Sequence, residues 1–165
     1  MSSSTGWLPE LVLIASYNGD FARFLDAVYA CFRRDFVDSR PAFRGERLQL
    51  KRHPLVQGRE YTFWHMVSEG AVEASRQPDV VRCERIRWPR PVIEHSTDPV
   101  LKVWGNVRGG EHRVCLWLES DEYLVVLTRR KGYLLPWTAY PVTLSHRKAK
   151  LQREFIEWKK AGTAL

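Results

Sequence analysis

The sequence predicts an α+β fold, with N-terminal helices packed on a four-stranded antiparallel β-meander and a basic helix at the C-terminus. Three observations predict it. Apolar residues after Asp20 recur at three- and four-residue steps, the signature of a one-sided helix. From Val100 to Val142, four runs rich in β-branched, aromatic and aliphatic residues alternate with short turn segments. The last stretch, SHRKAKLQREFIEWKKAG, spaces a few apolar residues among many bases. At about 150 residues per domain, a chain of 165 residues makes one domain.

The elements follow in order. Residues 1–18 form an N-terminal extension with a short apolar patch from Leu11 to Ala15, too short for a membrane span and without the basic flank of a signal peptide. Residues 19–98 form a helical and loop part. Asp20 is set as the N-cap of a helix whose face carries Phe21, Phe24, Leu25, Val28, Cys31, Phe32 and Phe36. Residues 40–61 read as a loop with a short extended piece at Leu48 to Leu50, followed by a short helix opening near Thr62 and a second helical turn capped by Asp79. Pro89 and Pro91 argue against any regular element at WPRPVIEH. Residues 99–142 form the sheet, with turns at Arg108-Gly109-Gly110, Ser120-Asp121-Glu122 and Arg130-Lys131-Gly132. The unbroken apolar run Val114 to Leu118 suits a strand covered on both faces. Residues 143–161 form the last helix, with Ala149, Leu151, Phe155, Ile156 and Trp158 as its apolar face.

Composition narrows the function classes. With 44% hydrophobic and 27% charged residues the chain is neither disordered nor fibrous, and three scattered cysteines (Cys31, Cys83, Cys115) form no disulfide scaffold and no metal-binding pair. Free thiols and the lack of a leader point to the cytoplasm. No His, Cys or carboxylate spacing suits a metal, so neither metal nor cofactor is expected. The net charge of +7 is concentrated: Arg129 to Leu165 carries nine bases against two acids, a surplus equal to that of the whole chain. Such a surplus favours a polyanionic partner, because Lys and Arg displace the counterions condensed on phosphate. If the meander brings Arg129 to Tyr140 beside Lys51 to His65, a basic groove with aromatic walls results, the arrangement that grips single-stranded RNA.

The segment order is more specific. LKRHP (50–54), TFWHMVSEG (62–70), RCERIRWPRPVIE (82–94), RVCLWLESDEYLVVLTRRKGYLLPWTAYPV (113–142) and a basic C-terminal helix together resemble phage-associated nuclease-like domains. These belong to the barnase, EndoU, colicin and RelE-like group of ribonucleases, the BECR fold. The resemblance spans roughly residues 40–160 and rests on segment order. It implies RNA cleavage on the sheet face without a metal. A base takes the ribose 2′-hydroxyl proton, the oxygen attacks the adjacent phosphorus, and cations offset the charge of the phosphorane.

Within that expectation His53, behind the catalytic candidate Lys51 and the RNA-binding candidate Arg52, is the first proton-transfer candidate, since neighbouring cations hold an imidazole in its basic form; the alternative is a loop histidine beside Pro54. His65 is the second candidate, or else a hydrogen-bonded core histidine. Thr138 and Tyr140 share a strand face, and the resemblance implies phosphate contact for the first and base stacking for the second, with Trp137 beside them as an RNA-binding candidate; the alternative for either is a core position, Tyr140 with a satisfied hydroxyl. Arg82, Arg85, Arg90 and Lys131 are further RNA-binding candidates, with structural salt bridges or turn positions as the alternative. Glu69 is a candidate base of the barnase kind, or a helix-end residue before Gly70, and His95, His112 and His146 read as surface residues. The expected partners are RNA, either tRNA or mRNA, and an acidic inhibitor protein of antitoxin type, with no membrane. The competing classes are a non-catalytic RNA-binding module and a protein-interaction domain.

Overall fold

The structure is a computed structural model that describes residues 5–70, 72 and 75–165. Asp20 does cap the first helix: its carboxylate accepts from the Arg23 N–H, and α1 runs Phe21–Phe32 before a π-helical turn at Arg33–Val37. A tight hairpin follows, β1 (Ala42–Phe43) against β2 (Glu46–Arg47), turned by Arg44 and Gly45 at φ 50° and 89°. Regular pairing therefore falls at 42–47, where that left-handed turn allows it, and not at Leu48 to Leu50. Next come α2 (Tyr61–Val67), the hairpin of β3 (Ser68–Glu69) and β4 (Gln77–Pro78), and α3 (Val80–Glu84), whose cap Asp79 accepts from the Arg82 N–H.

The two prolines do not prevent a helix. They open α4 (Pro89–Glu94) from within its first turn, where the missing N–H groups have no intrahelical acceptor.

Four strands, β5 (Lys102–Arg108), β6 (Glu111–Leu118), β7 (Tyr123–Arg130) and β8 (Tyr133–Pro141), pair antiparallel in sequence order. The run 114–118 divides as a doubly covered strand requires. Val114, Leu116 and Leu118 face the main core with Phe24, Val28 and Phe63, while Cys115 and Trp117 face a second cluster with Trp104, Leu124 and Val126. The N-terminal extension straps onto the main core: the Trp88 indole donates to Pro9 O at 2.8 Å, and the Val12 N–H to Glu84 O at 2.9 Å.

The second cluster is covered by α5 (Ser145–Ala161) through Leu151, Phe155 and Trp158. Ala149 and Ile156, placed by the sequence on that face, are exposed. At 3.6 residues per turn they project almost opposite to the 151–155–158 stripe. Among the described residues no helix is long and apolar enough to cross a membrane.

Candidate functional site

The site grows from an irregularity in β8. Val126 pairs with Thr138 and Leu127 with Pro136, so Trp137 is an extra residue in the ladder. The bulge turns its carbonyl to α2, where it accepts from His65 Nδ1 at 2.8 Å, and its ring lies 4.0 Å from the imidazole. A carbonyl only accepts, so Nδ1 carries the proton and Nε2 is the basic nitrogen of the neutral ring. The start of α2 is held by Glu60, which accepts from the Tyr29 hydroxyl at 2.9 Å; burial and that carboxylate push the Tyr29 phenol above its ordinary range.

Two guanidinium groups meet beside the imidazole. Arg82, oriented by the capped turn of α3, donates to Ser68 O at 2.6 Å and to the Thr138 hydroxyl at 3.4 Å, and lies 4.9 Å from the Tyr140 ring centre. Arg76 donates to the same Ser68 oxygen, to His65 O at 3.0 Å and to Gly70 O at 2.9 Å, pinning the chain after α2. Burial, then the like charge of Arg76, pulls Arg82 below the ordinary guanidinium range. Asp79 and Glu69 oppose that repulsion in part, but their charges do not restore Arg82 to its ordinary range.

Three more arginines close the other side. Arg113 shares the sheet face of Cys115 and Trp117, Arg108 ends β5, and Arg147 lies in the first turn of α5. That helix starts without a side-chain cap and without an acid of its own in its first turn, where Glu122 pairs with Lys148 at 2.5 Å and leaves Arg147 to the cleft. Together with His65, Arg76, Arg82, Thr138 and Tyr140 these arginines line a cleft of about 820 Å³ whose described lining contains no Asp or Glu. A smaller groove of about 290 Å³ continues along α5, adding His146 and Lys150. Among the described residues, no three His, Cys, Asp or Glu side chains gather as a metal cluster would require.

No protein-family model, curated protein or solved structure matches this chain.

The structure brings together His65, Arg82, Trp137, Thr138 and Tyr140 from the sequence-predicted set. His53 does not line the cleft; it is exposed on the loop before α2. Lys51 sits 4.0 Å over the Tyr61 ring, and Arg52 lies 3.9 Å from the Glu60 carboxylate. Arg85 lies over Trp88 and donates to Val81 O at 3.1 Å. Arg90 has a structural role, tying Glu94, Asp35 O and Ser39 together at 2.6–3.0 Å. Lys131 and Glu69 are exposed outside the cleft. His95 is not a plain surface residue, since it stacks on Trp7 at 4.4 Å and 6°.

Sequence reasoning missed Arg76, Arg108, Arg113 and Arg147. Arg113 had a signal: it alternates with Cys115 and Trp117, and pairing through β7 puts that face on the Thr138 side. Arg76 had none, because its place depends on carbonyls gathered by a hairpin of two-residue strands.

Proposed function

We propose that this chain is a metal-independent endoribonuclease that cleaves single-stranded or tRNA-like RNA by attack of a ribose 2′-hydroxyl on the adjacent phosphorus. The observation that carries the reading is the convergence of Arg76 and Arg82 on one carbonyl, beside Thr138 and His65, in a cleft whose described lining adds three further arginines and contains no Asp or Glu, although Arg108 and Arg113 pair with Glu154 and Glu111 at 3.8 and 4.0 Å. The segment-order resemblance to the BECR group, from which the expectation of RNA cleavage comes, points the same way.

In this reading His65 Nε2 takes the 2′-hydroxyl proton. The 2′-oxygen bonds to phosphorus, the P–O5′ bond breaks, and the departing 5′-oxygen takes a proton from water at the open side of the cleft. The product is a 2′,3′-cyclic phosphate. Arg82 and the Thr138 hydroxyl contact the phosphorane oxygens, where fixed donors act more strongly than in water. Tyr140, beneath Arg82, offers a ring for stacking. An inhibitor of this site would be an acidic protein covering the arginines. The free state of Cys31, Cys83 and Cys115 suits a reducing compartment.

A non-catalytic RNA-binding module is the second reading, favoured by one observation: His53 lies outside the cleft, so a two-histidine acid–base pair is not assembled there. Cleavage of RNA in EDTA separates the two. The nuclease reading expects 2′,3′-cyclic ends, lost in His65→Gln and retained in His53→Ala. Salt-sensitive binding without product in the parent protein would establish the module instead.

A further inference from the structure

A second cavity, of about 600 Å³, shares His65 and Arg76 with the arginine cleft, but its wall is of another kind. Phe21, Leu25, Pro54, Tyr61 and Trp64 line it, with the exposed side chain of Gln57. We propose that this chamber is a nucleobase subsite, so that the unit recognised is a nucleotide whose phosphate lies on Arg82 and whose base packs against the Tyr61, Trp64 and Phe21 rings. The inference rests on the RNA reading of the cleft and adds to it a base preference at the cleaved position.

Four observations support the assignment. The chamber adjoins the arginine cleft, the two having His65 and Arg76 in common in their walls, as neighbouring sites for a base and its own phosphate require. Its rings are fixed beforehand: the Trp64 indole donates to Val56 O at 3.0 Å, Lys51 lies 4.0 Å over the Tyr61 ring, and Tyr61 stacks toward His65 at 5.8 Å. Rings held in place bind a flat partner without paying to order themselves. Two of the apolar side chains that line the chamber stay in water although a core lies beneath them: Phe21 is 39% exposed and Val56 50%.

The fourth is Gln57. It occupies the left-handed region at φ 53°, followed by Gly58 at 71°, in a two-residue turn closed by the Val56–Arg59 bridge. Such turns favour Asn and Gly, and a longer side chain there costs backbone energy. The residue kept at that cost carries an amide with both donor and acceptor, the groups that read a base edge.

The test is binding at low salt of the four nucleoside 3′-monophosphates, ribose phosphate and inorganic phosphate, followed by titration NMR on the full chain. Nucleotides should bind about 5- to 150-fold tighter than ribose phosphate, the range that stacking of one base gives. Gln57→Gly, which suits the positive φ, should flatten the ranking among the four bases and leave the affinity for inorganic phosphate unchanged. Equal affinity for nucleotides and ribose phosphate, with phosphate binding intact, would overturn the subsite alone. So would an apolar peptide that fills the chamber while no base adds affinity. Failure of phosphate itself to bind would overturn the cleft reading as well.

Discussion

Arg82 is the residue on which structure and chemistry meet most sharply, and its replacement by methionine separates them. The substitution keeps most of the aliphatic length but deletes the donors to Ser68 O and the Thr138 hydroxyl. Leaving a buried acceptor unpaired costs about 1–3 kcal/mol, yet Ser68 O keeps Arg76 as a donor. The desolvation and like-charge repulsion that depress Arg82 disappear at the same time. These effects oppose each other, so the net change in stability should stay within about 1 kcal/mol, or roughly 2–4 °C in Tm for a chain of this size. Catalysis has no such offset. Loss of one preorganised donor to the phosphorane costs about 10²–10³ in rate. Arg82→Lys should recover part of it, because the charge survives and the planar fork does not. Single-turnover cleavage in EDTA and urea melts on the same samples measure both quantities. An Arg82→Met protein with unchanged Tm and a rate within about threefold of the parent, less than 1 kcal/mol of barrier, would refute the role.

Other outcomes follow from the same structure. Trp104 is fully buried between Trp117 and Phe155, so Trp104→Ala should cost about 3–5 kcal/mol in urea unfolding, the range for a deleted core aromatic. Burial pushes the thiols of Cys83 and Cys115 up to about 12, so native protein at pH 8 should be alkylated at half-buried Cys31 alone. The same shift fixes a sign. The folded state holds these two protons more tightly than the unfolded one, so their contribution is complete below pH 9 and is lost as pH rises toward 12, which alkaline melts should show. RNA affinity should fall with salt, and Arg147→Ala should reduce the log–log slope by about 0.7, the value for one single-strand phosphate. Asp79→Ala should cost about 1 kcal/mol as a lost cap, and also slow cleavage, because it releases the turn that aims Arg82.

What the sequence made legible was whatever depends on local period and turn chemistry. Asp20 and Asp79 cap as their positions require, and the double covering of 114–118 follows from its lack of polar alternation. Thr138 and Tyr140 share a face because strand alternation is rigid. The misses have physical causes of another kind. Pro89 and Pro91 look like breakers until their place within the first turn of α4 is known. Ala149 and Ile156 look apolar and helical, but only the geometry of α5 against the sheet shows which stripe is covered. The cleft itself needed long-range information. Arg76, Arg108, Arg113 and Arg147 come from four separate segments, and no spacing in the chain records their meeting. That His65 and not His53 lines the cleft likewise goes with a carbonyl freed by the bulge at Trp137, which the sequence does not mark.

The most direct measurement uses a short oligoribonucleotide and its copy bearing 2′-O-methyl groups throughout, each incubated with the protein in EDTA and read by mass spectrometry. The ribo strand should be cut to fragments ending in 2′,3′-cyclic phosphate, and the methylated strand should bind in the arginine cleft and remain whole. Equal cleavage of both strands, or none of either at saturating protein, would contradict a cleft built around attack by the ribose hydroxyl.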